Sequence, residues 1–127
     1  MKALIVDDDA DIREVARLSL ELVAGWTVFD AADSAGAVEQ ASLELPDVIL
    51  LDLMMPGSDG VETLHQLSDD PTTSHIPVIF LTAKSQTHDR RRLEDTGARG
   101  LIPKPFDPLT LAHEIETILS GGANHAP

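Results

Sequence analysis

Cysteine and tyrosine are absent from this 127-residue chain, and aromatic residues make up only 3% of it. Without a thiol there is no disulfide framework, no cysteine nucleophile and no thiolate zinc site. Basic residues are scarce too: nine Lys and Arg stand against 22 Asp and Glu, for a net charge of −13. That balance repels the phosphate backbone of nucleic acids and anionic membrane surfaces. The one basic run, Arg90-Arg91-Arg92, lies among Asp89, Glu94 and Asp95 and is read as a solvated helix face. No direct nucleic acid binding and no membrane association are expected. His65, His75, His88, His113 and His125 show no H-x-x-x-H spacing, which argues against a histidine zinc site. No apolar run approaches the roughly 20 residues that cross a bilayer. The opening MKALIVDDD turns acidic at its seventh residue, so it is not read as a secretory signal, and a cytoplasmic location is expected.

What the chain does have is a repeating alternation. Five short apolar runs stand at ALIV (3–6), WTVF (26–29), DVILL (47–51), PVIFL (77–81) and GLI (100–102). The third and fourth are continuously apolar, as parallel strands covered on both faces are. Helical stripes lie between and after them. Ile12, Val15, Ala16, Ser19, Leu22 and Val23 form the first, with Gly25 placed to stop it. Ala37, Val38, Ala41 and Leu45 form the second, capped by Asp33 or Ser34, and Val61, Leu64 and Leu67 form the third. The last, Leu111, Ala112, Ile115, Ile118 and Leu119, follows Asp107-Pro108, read as a cap with proline at the first helical position. The segment 84–96 has helix formers but only Leu93 as a large apolar anchor, which predicts a mobile helix. The tail 121–127 reads as a flexible end or the start of a linker. Strands alternating with helices predict one α/β domain over 1–120, with a five-stranded parallel sheet and right-handed crossovers.

In such sheets the functional crevice lies beyond the carboxyl ends of the strands. Asp7, Asp8 and Asp9 follow the first strand, Asp52 the third, Thr82 the fourth, and Lys104 with Pro105 the fifth. Taken singly, each has a plain structural use: Asp9 as a helix cap, Thr82 as a cap, Lys104 as a surface lysine. As a set they put several carboxylates, a hydroxyl and an ammonium at one edge. Carboxylates a few ångströms apart repel by about 1–4 kcal/mol per pair at intermediate dielectric. Lys104 offsets part of this, and the remainder suits a hard divalent cation. Mg²⁺ fits best, since it binds through one or two carboxylates, keeps waters and accepts phosphate oxygens. The stretch DDDADIRE lacks the glycine and closing glutamate of a calcium-binding EF-hand loop. A carboxylate beside such a cation and a lysine is arranged to receive a phosphoryl group, with charge neutralised as it attacks in line. Asp52 is the best placed nucleophile, held by the apolar run Val48–Leu51.

The motifs LIVDDD, DLMMPGSDG, IPVIFLTA and GLIPKPF, in this order and spacing, resemble the receiver domain of two-component response regulators, and the chemotaxis response regulator among them. The resemblance covers roughly residues 2–120. It implies a doubly wound, flavodoxin-like (βα)5 fold with strand order 2-1-3-4-5. It also implies that Asp52 is the phosphoacceptor, loaded from a sensor histidine kinase or a histidine phosphotransfer protein. Mg²⁺ would be bound by Asp8, Asp52 and the backbone carbonyl of Met54 directly, and by Asp7 through a water. Thr82 and Lys104 would each contact a phosphoryl oxygen, and the Lys104–Pro105 peptide would be cis. Such a domain catalyses its own phosphorylation and dephosphorylation but is a switch, not a conventional enzyme. Its output would be read on the face made by the helix over 84–96, the fifth strand and the last helix. A homodimer on that face, with Arg90 to Arg92 pairing with acids, is a further implication.

The chain departs from the family at Leu101, where receivers usually carry Tyr or Phe. An aromatic rotamer coupled to the threonine is therefore not available, and the alternative of a degenerate receiver that docks without phosphorylation stays open. Met54 and Lys84 occupy the family's variable positions that tune phosphoryl lifetime; an apolar Met54 cannot orient an attacking water, which predicts slow self-dephosphorylation. Two unrelated readings fit less well. A haloacid-dehalogenase-like phosphatase needs an acid two residues after its nucleophile, where Met54 stands. A flavodoxin needs a phosphate-binding first loop, which Asp7-Asp8-Asp9 would repel.

Overall fold

The computed structural model describes residues 1–83 and 96–121. Strand β1 runs Lys2–Val6, α1 Ala10–Leu18, β2 Thr27–Ala31, α2 Ser34–Glu44 and β3 Val48–Asp52. A small antiparallel hairpin, Met54–Met55 with Ser58–Asp59, leads into α3, Gly60–Asp69. Strand β4 then runs Val78–Ala83, β5 Gly100–Lys104, and α4 Leu111–Leu119. The expected helix over 84–96 lies almost wholly outside the described residues, as does nearly all of the expected tail 121–127.

All five strands pair in parallel in the order β2-β1-β3-β4-β5, as the sequence led us to expect. The continuous apolar runs are explained by what covers the sheet. Along one face Leu4, Val6, Ile49, Leu51, Val78, Phe80 and Leu101 join a core with Ala37 and Ala41 of α2 and Leu64 and Leu67 of α3. Along the other, Ala3, Ile5, Val48, Leu50, Ile79, Leu81 and Ile102 join Ala16 of α1, Leu20, and Leu111, Ile115 and Ile118 of α4. Successive residues of a strand point to opposite faces, so a strand covered twice has no polar face to offer.

Helix starts follow local capping. The Asp9 carboxylate accepts from the N–H groups of Asp11 and Ile12, Asp33 from Gly36, and Asp59 from Val61, which satisfies donors left orphaned in the first turns. Three details differ from the periodicity reading. Beyond α1 the chain continues as a π-helical turn, Ser19–Val23. This wider turn carries Leu22 and Val23 off the predicted stripe: Leu22 is 80% exposed, while Leu20 is buried instead. Gly25, at φ +72°, does end the helical run. Leu45 adds nothing to the stripe of α2, because it closes that helix in the left-handed conformation, at φ 47°. Finally, α4 begins at Leu111 with Thr110 at its cap, not at Asp107-Pro108. The Asp107 side chain accepts from the Leu109 N–H at 2.9 Å, and its carbonyl takes the Thr110 N–H at 3.1 Å, forming a separate turn first.

One glycine is demanded by packing rather than by dihedral angle. Gly60 donates its N–H to the Leu53 carbonyl at 2.8 Å, and a Cβ there would lie 2.6 Å from the Asp52 carbonyl oxygen and 2.9 Å from the Leu53 Cα. Both are backbone atoms, with no flexible side chain to yield. We expect Gly60→Ala to destabilise the protein by about 1–3 kcal/mol through overpacking. That cost outweighs the roughly 1 kcal/mol by which alanine exceeds glycine in a helix. Urea unfolding measures it, and a variant as stable as the parent would contradict the close approach.

Candidate functional site

The parallel register brings the carboxyl ends of four strands to one level. Val6 pairs with Leu51, so Asp7, just past β1, lies beside Asp52, the last residue of β3. Asp52 pairs with Leu81, which places Thr82 one step further along β4, and Thr82 and Ala83 pair with Pro103 and Lys104 of β5. Asp7 and Asp52 are both buried, as is Thr82, whereas Asp8 is exposed.

Lys104 ties the acids together. Its ammonium donates to Asp7 Oδ2 at 3.1 Å and to Asp52 Oδ1 at 3.3 Å. Backbone groups satisfy more of the two carboxylates: the Asp9 N–H reaches Asp7 Oδ1 at 2.9 Å, and the Met54 N–H reaches Asp52 Oδ1 at 3.2 Å. The Lys104–Pro105 peptide is cis. Asp7, Asp8 and Asp52 each offer a carboxylate oxygen, and these three oxygens lie within 4.8 Å of one another. Among the described residues, the buried Thr82 Oγ1 has no hydrogen-bond partner. A buried hydroxyl without a partner is uncommon. The Met54 side chain is 59% exposed at the rim. Asp9 is the cap that the sequence suggested.

The charges bear on one another. Burial, reinforced by the Asp7 charge, pushes the Asp52 carboxyl up to about 6, against the opposing pull of Lys104 and of the Met54 N–H. Burial works against the Lys104 ammonium, but the Asp52 and Asp7 carboxylates outweigh it and raise its pKa above the ordinary lysine value. Three carboxylates against one ammonium leave an excess of negative charge when ionised. Oxygen ligands at this spacing, in a cluster short of positive charge, fit a hard divalent cation.

Residues 3–116 match the family model described as the response regulator receiver domain. The chain belongs to the response regulator receiver family. It is 40% identical over 119 residues to Response regulator PleD of Caulobacter vibrioides, covering 92% of this chain and 26% of that protein. It is 39% identical over 118 residues to the phosphate regulon transcriptional regulatory protein PhoB of Escherichia coli, covering 93% of this chain and 51% of that one. The chain thus spans about half or less of these relatives' lengths. In three dimensions it resembles the chemotaxis protein CheY4 of Vibrio cholerae, with a TM-score of 0.84 at 31% identity over 92% of this chain and 97% of that one. It is therefore a receiver domain of two-component response regulators, with a flavodoxin-like α/β fold. Receiver domains bind Mg²⁺ at an acidic pocket, and the donor set of Asp7, Asp8 and Asp52 suits that ion. The family interacts with histidine kinases or phosphotransfer proteins. No helix among the described residues is long and apolar enough to cross a membrane.

The five residues singled out from the sequence, Asp7, Asp8, Asp52, Thr82 and Lys104, all come to this one edge of the receiver. Leu101 is 7% exposed and belongs to the core on the side of α2 and α3, so this receiver has an aliphatic side chain built into the core at that position. Sequence reasoning missed Arg13. Its guanidinium donates to the Asp7 carbonyl at 2.8 Å, but on the polar side of α1 its spacing looks like that of any surface arginine.

Proposed function

We propose that Asp52 accepts a phosphoryl group from a phosphohistidine on a sensor kinase or phosphotransfer protein, and that the resulting aspartyl phosphate switches an output surface. The observation that carries this reading is the buried Asp52 carboxylate, bridged by Lys104 to a second buried acid beside a hydroxyl with no partner among the described residues. An Asp52 oxygen would form the O–P bond in line as the N–P bond of the phosphohistidine breaks. The imidazole leaves with the electron pair. With its pKa near 6, Asp52 is mostly ionised at neutral pH yet poorly solvated, which suits a nucleophile.

Asp8, Asp52, the Met54 carbonyl and, through a water, Asp7 would hold Mg²⁺, which when bound neutralises charge on the acids and on the phosphoryl oxygens. The Lys104 ammonium would exchange its bond to Asp52 for one to a phosphoryl oxygen while keeping Asp7. The Thr82 hydroxyl would donate to another, which gives that orphaned group its partner. The modification brings about 1.5–2 negative charges and new acceptors to the end of β4. Movement of Thr82 toward them would bias the neighbouring face that includes β5 and α4, on which an output partner would read the state. Leu101 sits in the core layer of β5, so the signal would pass through packing of that layer and not through an aromatic ring.

Intact mass spectrometry after incubation with Mg²⁺ and acetyl phosphate tests the chemistry. The chain should gain one phosphoryl group, and Asp52→Asn should gain none. No gain by either protein would leave phosphorylation-independent docking as the function. Once the donor is removed, the phosphorylated chain should decay slowly, because the thioether of Met54 orients no water. Met54→Asn should decay faster. A slower decay in that variant would refute the role given to Met54.

A further inference from the structure

A chain of polar contacts runs from β2 to the acidic loop and is not needed for the chemistry above. Arg17 Nη1 donates to the Val28 carbonyl at 3.0 Å, and its Nη2 pairs with Asp30 Oδ1 at 3.1 Å. The other Asp30 oxygen takes Arg13 Nε at 3.3 Å, and Arg13 Nη1 ends the chain on the Asp7 carbonyl at 2.8 Å. Arg13 holds the loop a second time through its own backbone N–H, which donates to the Asp9 carbonyl at 3.1 Å. Its side chain is 20% exposed, so these bonds are partly shielded from water.

The carbonyl that Arg13 grips belongs to the peptide joining Asp7 to Asp8. Asp7 has other anchors: Lys104, the Asp9 N–H, and its own N–H donated to Ala31. The Asp8 carboxylate makes no hydrogen bond or ion pair among the described residues. The Asp8 backbone is therefore aimed by the two peptides that flank it, the Asp7–Asp8 peptide that Arg13 grips and the Asp8–Asp9 peptide whose N–H donates to Asp7 Oδ1. The planar fork of arginine bonds Asp30 through Nε and the carbonyl through Nη1, two nitrogens held in fixed directions.

We infer that Arg13, oriented by Asp30, is a positioning residue that aims Asp8 into the acidic cluster and so sets its affinity for a divalent cation. The inference rests on reading that cluster as the cation site. Charge and geometry make opposite predictions here. Arg13 is a cation near three acids, so if its charge were all that mattered, removing it would tighten cation binding. If it positions Asp8, removing it weakens binding, by the roughly 10–100-fold typical of groups that orient metal ligands.

Mn²⁺ serves as the probe, since it shares the preference of Mg²⁺ for oxygen ligands. Loss of the free-ion paramagnetic resonance signal gives the affinity of the whole chain, and thermal unfolding in EDTA reports whether each variant folds. Arg13→Ala should bind at least tenfold more weakly than the parent, with Arg13→Lys recovering part of the loss through its single nitrogen. Equal or tighter binding by a folded Arg13→Ala would overturn the inference. If Arg13→Ala does not fold, Asp30→Asn in 0.5 M KCl decides, because that salt screens the lost charge beyond a few ångströms. Severalfold weaker binding there supports the positioning role, and unchanged binding overturns it. Failure of the parent chain itself to bind Mn²⁺ would instead refute the reading of the cluster as a cation site.

Discussion

Two carboxylates at the ends of adjacent buried strands repel each other, and the rest of the site answers that repulsion. Strands in a sheet stand about 4.8 Å apart, and the pairing of Val6 with Leu51 leaves Asp7 and Asp52 at the same level on neighbouring strands. Neither side chain can move to solvent without disturbing a core packed on both faces. The ammonium that offsets them comes from β5, two strands beyond β3 and so roughly 10 Å away at the backbone. Only a long side chain reaches that far, and Lys104 touches both acids at once.

The fold maintains this arrangement against its own electrostatics. β3 is buried throughout its length, and the carbonyl of its last residue is crowded by Gly60 at the start of α3. A rigid, doubly covered strand would keep Asp52 within the small tolerance that the proposed in-line transfer demands. The energy for holding the acids together comes from the apolar cores above and below the sheet. The proposed cation and phosphoryl group would find Asp7, Asp52 and Lys104 already in place. Thr82 fits the same scheme: among the described residues its buried hydroxyl has no partner, and the proposed phosphoryl group would supply one.

Legibility in the sequence followed the length scale of each feature. Strands were readable because double coverage makes them continuously apolar, and the site residues because the crevice rule maps strand ends to one edge. Strand order came from the resemblance of the four motifs, not from the periodicity. Helix ends were read less well. The π-helical turn at Ser19–Val23 breaks the 3.6-residue period on which the stripe was drawn, and Leu45 takes a left-handed cap that glycine more often fills. The buried Ser19 hydroxyl donates to the Pro108 carbonyl, tying the end of α1 to the turn before α4. No local pattern announces a bond across so much sequence. Arg13 and Asp30 were hidden for the same reason, since their partnership exists only once β2 lies beside β1. Leu101 is a different case: it was noticed as a departure, and the fold shows what replaces the aromatic, an aliphatic side chain set in the core.

The central claim, that the metal-free site is held together against charge repulsion centred on Asp52, is tested most directly by urea unfolding of the parent and Asp52→Asn in EDTA between pH 4 and 7.5. The Asp52 carboxyl is raised in the folded chain, from 3.8 to about 6. The folded state therefore holds that proton more tightly than the unfolded state does. The stability this provides is fully present below the unfolded pKa and is lost as pH rises through about 6. Asp52→Asn, which cannot ionise, should therefore gain on the parent across that interval and stay ahead at pH 7. Mg²⁺ should narrow the gap by stabilising the parent. A stability difference that stays flat with pH, or that shrinks as pH rises, would contradict the account.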